Sequence, residues 1–272
     1  MFGGSSDNPD TSYFSRTGET KNFSSSSPTV DTDAITATLA SSQVNDIRHY
    51  VPGNDLLVLT SGAEWRTNAN GQNAFTPSTI SQKPQSEWGS SHLKPLVVGN
   101  ATLFVQANQA NVRTLGYNLQ MDGYTGTDLN LLTQHLVRDY TLLDWCLARH
   151  IYLTMLVRSD GEALSLTFQP EQEVIAWTHW DTDGLFKSCA SILPNLTTEL
   201  DTGYFIVERV INSKTVQYIE KLHSRQFEQL EDSFFVDSGL SLDTSFAVSA
   251  VTIANPCVVT TAAHGMVGGD DF

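Results

Sequence analysis

The sequence predicts a mainly β protein, a propeller-like array of antiparallel meanders with one or two short helices. Charged residues make up only 17% of the 272 residues. Ser, Thr, Asn and Gln take many polar positions instead, which favours strands over surface helices rich in Glu, Lys and Arg. The pair Asp160-Gly161 joins two apolar runs, and such a pair is typical of a tight hairpin turn with positive φ.

Hairpins of this kind recur along the chain. They begin near Leu56, Thr102, Leu153 and Tyr204, which are 46, 51 and 51 residues apart. A period of about 50 residues with several strands in each repeat is typical of propeller blades. A β-sandwich with regularly spaced hairpins is the alternative.

The clearest meander is predicted over residues 151–180. Apolar and polar residues alternate on both sides of Asp160-Gly161, as expected for half-buried antiparallel strands. A third strand follows at residues 174–180. We therefore expect three consecutive antiparallel strands here.

One helix and three domain segments are also predicted. Leu129, Leu132, Leu136 and Tyr140 recur at helical spacing, and Thr127 or Asp128 offers an N-cap. The domain prediction is a flexible N-terminal edge at 1–11, a propeller-like domain at 12–243 and an incomplete C-terminal β module at 244–272. The strand predicted at 258–261 has no following partner in the chain.

Charge and cysteine content limit the function classes. The net charge is −15, from 15 Lys and Arg against 30 Asp and Glu. An acidic surface repels phosphates, which argues against sequence-reading nucleic-acid binding but allows a wall along which DNA slides. Cys146, Cys189 and Cys257 are too far apart for a metal knuckle, so buried free thiols are expected. No apolar stretch approaches the length of a membrane span.

Candidate catalytic and ligand residues are few. His179, Asp181 and Asp183 have the ligand types of a divalent-metal site, although Asp183-Gly184 is also a turn signal. His135 is expected to be a packed or partly exposed residue of the predicted helix described above, and no partner is visible for His264, which is expected in a turn. Motifs for a nucleophile elbow, a phosphate loop or a zinc-binding helix are absent. We therefore predict no catalytic residue, no metal and no cofactor.

Glycan chemistry is the open alternative. Glycoside cleavage needs two carboxylates, for which the candidates are Glu171 with Glu173 and Glu228 with Glu231. The acidic run that includes Asp232 is otherwise a solvated face. Sugar binding would use exposed tryptophans, for which core packing is the default; the chain has Trp65, Trp88, Trp145, Trp177 and Trp180.

Several short segments together resemble a family of phage and prophage virion proteins. They are turns and strands spread over most of the chain, at residues 14–19, 22–24, 33–35, 56–65, 89–90, 95–99, 103–105, 128–129, 135–136, 157–161, 173–177, 207–209, 218–220 and 236–240. The family is that of tail nozzle or tail hub proteins similar to tail tubular protein B of short-tailed phages. Members of that family are longer at the N-terminus. Residues 255–265 resemble the start of a further small β module.

The resemblance implies a non-enzymatic structural component of the virion tail, made in the bacterial host cytoplasm. Expected partners are other tail proteins (an adaptor ring, fibres or a needle) and further copies in a homo-oligomeric ring. DNA would pass through without being read. The alternative is a tail-associated protein that binds glycans or degrades polysaccharide.

The residues predicted to matter are architectural. Trp65, Phe104, Trp177 and Tyr218 are expected to anchor the core. Gly62 and the Asp160-Gly161 pair are expected to form turns.

Overall fold

A computed structural model of the protein describes residues 1–72, 74–193, 201–223, 229–230, 236–239, 248–253 and 258–261. The chain divides into two compact units, Met1–Glu228 and Gln229–Phe272. In the described part, strands dominate the first unit, the second contains one strand pair, and every strand pairing is antiparallel. The mainly β prediction is therefore confirmed.

Five sheets follow one another along the first unit, each built from consecutive strands. Sheet 1 contains β1 (Phe2–Gly3), β2 (Thr11–Phe14) and β3 (Ile35–Thr38). Sheet 2 contains β4 (Ile47–Pro52), β5 (Leu56–Thr60), β6 (Glu64–Asn68) and β7 (Ser81–Ser86). Sheet 3 contains β8 (Leu96–Val98), β9 (Ala101–Val105), β10 (Val112–Asn118) and β11 (Gly123–Thr125).

The last two sheets of the unit have the same meander order. Sheet 4 contains β12 (Leu142–Ala148), β13 (Leu153–Arg158), β14 (Ala163–Gln169) and β15 (Val174–Trp180). Sheet 5 contains β16 (Leu185–Ile192), β17 (Thr202–Ile211) and β18 (Lys214–Lys221). The predicted run of three strands over 151–180 is confirmed, and β12 precedes them as a fourth strand.

Each sheet packs on the next. Successive side chains of a strand point to opposite faces, so a sheet between two others can contact both of them. In sheet 2, Val58 faces a core shared with Leu39, which follows sheet 1. The neighbouring residues Leu57 and Leu59 face Phe104 of sheet 3. The inner sheet therefore has two buried faces, and β5 has no exposed residue.

The same alternation continues through sheets 3, 4 and 5. Leu103 of sheet 3 shares a core with Leu156 of sheet 4. Met155, the neighbour of Leu156, instead shares a core with Phe205 of sheet 5. The first unit is thus a stack of sheets in chain order, with an apolar layer at each junction.

Strand β13 differs from the half-buried strand that the alternation predicts. Both of its faces are buried, and five of its six residues are classed as buried. The polar residues on it are enclosed, as shown by Thr154 at 0% and Arg158 at 5% exposure. In this strand, the alternation along the sequence therefore indicates which neighbouring sheet a residue faces, and not whether the residue is exposed.

The turn between β13 and β14 lies where it is predicted, but its geometry differs. Gly161 N donates to Arg158 O over 3.1 Å, and Gly161 has φ +92° while Asp160 is not in the positive-φ region. This is a three-residue loop with one left-handed glycine, rather than a two-residue primed turn. In this pair, the backbone conformation requires a glycine at position 161 but no special residue at position 160.

The predicted helix over residues 129–140 is wrong. Within the described residues, helical geometry is limited to short 3-10 turns at Gln134–Leu136, Arg149–Ile151 and Pro170–Gln172, and no α-helix occurs. The backbone near Leu129 pairs with β10 instead: Leu129 N donates to Val112 O over 3.0 Å, and Val112 N donates to Asn130 Oδ1 over 2.6 Å. Asp128, the expected cap, accepts from Asn130 N in a local turn.

Paired strands occur at two places near the chain ends where a flexible edge or an unpaired strand is predicted. Strand β1 lies within the predicted flexible edge, and Phe2 stacks on Tyr13 at 4.9 Å between ring centroids. In the second unit, β19 (Val248–Val251) pairs with β20 (Val259–Thr261). The strand expected to lack a following partner therefore pairs with the one before it.

Candidate functional site

The predicted anchors have different surroundings. Trp65 and Phe104 are buried, at 2% and 1% exposure. Trp177 packs against the core between sheets 3 and 4, and its Nε1 donates to Leu129 O over 2.9 Å. Tyr218 is 46% exposed, so its prediction as a core anchor is wrong. It lies on β18, where no residue is buried and which is the edge strand of sheet 5 among the described residues.

The predicted turn glycines are required for close approach. A Cβ atom on Gly62 would stand 2.5 Å from Asn45 Oδ1, although Gly62 is not in the positive-φ region. A Cβ atom on Gly161 would stand 2.7 Å from Leu185 Cδ2 in sheet 5. Gly161 therefore allows sheets 4 and 5 to meet.

A charged cluster surrounds Arg158 at the same hairpin tip. Its guanidinium group donates to Asp160, to Glu162 Oε2 over 2.7 Å and to Leu136 O over 2.9 Å. It also stacks on the Tyr140 ring at 4.0 Å. Burial is the largest single effect and would raise the pKa of Asp160, but the hydrogen bonds from Arg158 and the Glu162 backbone, together with the charge of Arg158, outweigh it and lower the pKa. The cluster ties the loop before β12 to sheet 4.

Two members of the candidate metal triad, His179 and Asp183, lie in separate clusters. His179 Nε2 lies 2.6 Å from Glu162 Oε2 in the Arg158 cluster. The carbonyl of Asp183 instead accepts from Arg209 Nη1 over 2.6 Å, and Arg209 Nε pairs with Glu220 Oε1 over 2.6 Å. In the described part of the chain, no three His, Cys, Asp or Glu side chains are grouped as metal ligands.

The carboxylate candidates lie at the surface or outside the described residues. Glu171 belongs to a 3-10 turn, and Glu173 follows it with φ +55°. Both are exposed. The second candidate pair, Glu228 and Glu231, lies outside the described residues, as does Asp232. His264 lies outside them as well.

An open cleft of about 740 Å³ lies between sheets 3 and 4. Its walls include Tyr117 and Leu119 from one sheet and Phe168, Glu173 and Ile175 from the other. Among the described residues that line the cleft, Glu173 is the one acidic residue. These residues do not include the second carboxylate that a glycosidase would use.

The tryptophans do not form a stacking platform. Trp65 and Trp145 are buried, while Trp177 and Trp180 are partly buried. Trp88 is 46% exposed, but the Arg113 guanidinium carbon lies 3.6 Å from its ring centroid and covers one face. Coplanar exposed rings, which a sugar-binding face needs, are thus not formed by these five residues.

A buried carboxyl group, that of Glu64, lies close to Trp88 and Arg113. Glu64 is 0% exposed, and its Oε2 accepts from Ser86 Oγ over 2.6 Å and from Trp88 N over 3.3 Å. No described residue donates to Oε1. Burial raises the pKa of Glu64, against smaller opposing effects of these donors and of Arg113. Sequence reasoning missed this residue, because nothing in the local pattern distinguishes Glu64 from an exposed polar residue on a strand.

Two of the three cysteines meet between sheets 4 and 5. Cys146 packs against the core that contains Cys189, and both thiols are free. The hydrogen bond with Cys146, together with burial, raises the pKa of Cys189. Cys257 lies outside the described residues. The expectation of buried free thiols is met at Cys189.

Comparisons with known proteins add no family. A scan against protein-family models matches none of them, and a search of curated proteins finds no match. In the described ranges, no helix has the length and apolar character needed to cross a membrane.

Proposed function

We propose that the chain is a structural subunit of a phage or prophage tail, in the nozzle or hub through which DNA leaves the particle. The sheet stack is the observation that carries this proposal. Its five sheets are built from consecutive meanders, and each junction is filled by apolar side chains. Propeller-like arrays are built in this way, from four-stranded sheets that contact their neighbours.

The polar clusters support a scaffold role. The buried arginines of sheets 3, 4 and 5 are Arg113, Arg158 and Arg209, each paired with acidic side chains. Such pairs and stacked rings fix geometry rather than bind ligands. The resemblance of the short segments to tail nozzle proteins points to the same class of role.

Charge supports passage of DNA without reading it. The chain has 30 acidic and 15 basic residues, and three of the basic ones are enclosed in the clusters above. Acidic residues outnumber basic ones two to one, so the chain as a whole repels phosphates instead of holding DNA in place. An acidic wall would allow DNA to slide past with little friction. Expected partners are other tail proteins, such as an adaptor ring, fibres or a needle.

Composition of purified particles tests the proposal. Phage particles are induced from the bacterium that carries the gene, purified by density gradient and digested for mass spectrometry. We expect peptides of the chain in stoichiometric ratio to other tail proteins. Particles made after deletion of the gene should lack infectivity, and a plasmid copy should restore it. Infectious particles that lack the chain would overturn the proposal.

The enzymatic alternative is tested on the purified chain and not on the particles. Purified chain is incubated with host-surface polysaccharide, with a Glu173→Gln variant as the matched control for the cleft. We expect no release of reducing sugar from either. Release that the variant abolishes would favour a polysaccharide-degrading tail protein.

A further inference from the structure

The thiols of Cys146 and Cys189 lie together where sheet 4 meets sheet 5. Both residues pack in the apolar core between these sheets. Cys189 Sγ donates to Met155 O over 3.5 Å, and Met155 is the residue directly opposite Cys146 in the β12–β13 ladder. Cys189 N donates to Asp144 Oδ2 over 3.0 Å, and Asp144 lies two positions before Cys146 on β12. These two contacts hold Cys189 beside Cys146.

The strand geometry directs both side chains into the same junction. Cys146 and Met155 are opposite each other on neighbouring strands, so their side chains share one face of sheet 4. That face is turned toward sheet 5, because Met155 shares its core with Phe205. Phe205 is in turn the residue opposite Cys189 in the β16–β17 ladder, so Cys189 points back into the same core. The two sulfur atoms therefore meet across the junction.

The two thiols differ in the way that a redox-sensitive pair requires. Cys146 is partly exposed, so it is the thiol that a small oxidant reaches first. Cys189 is buried, and the contact with Cys146 together with burial raises its pKa, so it stays protonated. A reachable thiol with a protected thiol beside it can form a bond within the chain as soon as the first is oxidised.

We propose that Cys146 and Cys189 form a redox modification site, which a peroxide converts into a disulfide between sheets 4 and 5. The Cys146 thiolate attacks hydrogen peroxide; an S–O bond forms, the O–O bond breaks, and the departing hydroxide takes up a proton as water. The Cys189 sulfur then attacks the sulfur of this sulfenic acid. The S–S bond forms, the S–O bond breaks, and the departing hydroxide leaves as water with the Cys189 proton. The thiols lose two electrons, which one peroxide gains.

The bond would lock two sheets that are in contact already. The cysteines are 43 positions apart in the chain. A cross-link over such a span restricts the unfolded chain far more than the folded one, so oxidation should raise the melting temperature by at least about 5 °C. The cytosol keeps thiols reduced, whereas disulfides persist on released virions. The proposed function therefore determines only where the bond forms, namely in the particle and not in the host.

Peptide mapping of the purified full chain tests the proposal. Reduced protein is freed of reductant and treated with an equimolar amount of hydrogen peroxide, and the remaining thiols are blocked with N-ethylmaleimide before digestion. We expect one disulfide-linked pair of peptides that contains Cys146 and Cys189, with Cys257 blocked. The melting temperature should rise by at least about 5 °C and return to its initial value in dithiothreitol.

Two variants complete the test. Cys257→Ser is the matched control and should behave as wild type, while Cys146→Ser should show neither the linked peptides nor the rise in melting temperature. Three blocked thiols after treatment, a bond to Cys257 in place of this pair, or an unchanged melting temperature would each overturn the proposal. The mapping uses wild-type protein, so it does not depend on the folding of a variant. It also does not depend on where the chain lies in a particle, so failure here leaves the proposed function to its own test.

Discussion

Gly161 lies directly against Leu185, where the tip of one sheet meets the first strand of the next. A Cβ atom at position 161 would stand 2.7 Å from Leu185 Cδ2. Phe186 N also donates to Gly161 O over 2.7 Å, which joins the two sheets by a backbone hydrogen bond. Gly161 therefore meets two demands at once, a positive φ and space for a neighbour.

The first prediction separates these two demands. Gly161→Ala should lower the free energy of unfolding by about 2–4 kcal/mol, because strain at positive φ adds to a clash with Leu185. Gly18→Ala is the control, since Gly18 has φ +79° and nothing within 4 Å of the new Cβ; it should cost about 1 kcal/mol. Urea unfolding measures both. Equal losses would show that the contact with Leu185 has no role.

The second prediction compares Phe104 and Tyr218, which are both predicted from the sequence to anchor the core. Phe104→Ala should cost about 3–5 kcal/mol, because it leaves a cavity between sheets 2 and 3. Tyr218→Ala should change stability by less than about 0.5 kcal/mol in dilute protein, since this side chain is 46% exposed. Urea unfolding of both variants is the measurement. A large loss at Tyr218 would mean that β18 is covered.

The third prediction follows from the raised pKa of Glu64. A carboxyl whose folded pKa lies above its unfolded value, about 4.3, adds stability below that value. The stability is lost as pH rises through the folded pKa. Among the described residues, Glu64 is influenced by Ser86, the Trp88 and Gly89 backbones and Arg113, and of these only Arg113 carries a charge.

Glu64→Gln should therefore gain stability relative to wild type as pH rises from 4 to 8. The amide stays neutral throughout, so it does not incur the cost of a buried charge. Urea unfolding at several pH values gives the difference, and Glu171→Gln, at an exposed position, is the control with a flat difference. A difference for Glu64→Gln that falls with pH would contradict the assignment.

The fourth prediction concerns thiol reactivity. The thiolate is the reactive form, and Cys189 is buried with a raised pKa. In native protein, iodoacetamide should label Cys189 at least about tenfold more slowly than Cys146, which is partly exposed. Peptide mapping by mass spectrometry reads each site. In urea the two rates should converge; equal rates in native protein would contradict the burial of Cys189.

The hairpins could be predicted because their signals are local. Asp160-Gly161 places a turn correctly, and the apolar runs beside it place β13 and β14. The helix at 129–140 fails because local periodicity competes with a distant partner. Backbone pairing with Val112 and the Asn130 side chain holds this segment extended, and neither contact is visible in a short window.

The polar clusters could not be predicted for the same reason. Arg158 is joined to Leu136 O and to the ring of Tyr140, which lie on the segment before sheet 4. Glu64 is enclosed by Ser86 and Trp88, more than 20 residues further along the chain. Tyr218 shows the opposite error, since burial is predicted there and does not occur. An aromatic residue on a strand is buried only if another sheet covers it.

Cryo-electron microscopy of particles from the bacterium that encodes the chain tests the proposed place of the chain in the tail. We expect density for the five-sheet stack at the tail end, repeated around the channel through which DNA leaves. Its acidic residues should face that channel. Density for the stack in the capsid shell or on a fibre tip away from the channel, or its absence from the particle, would contradict the account.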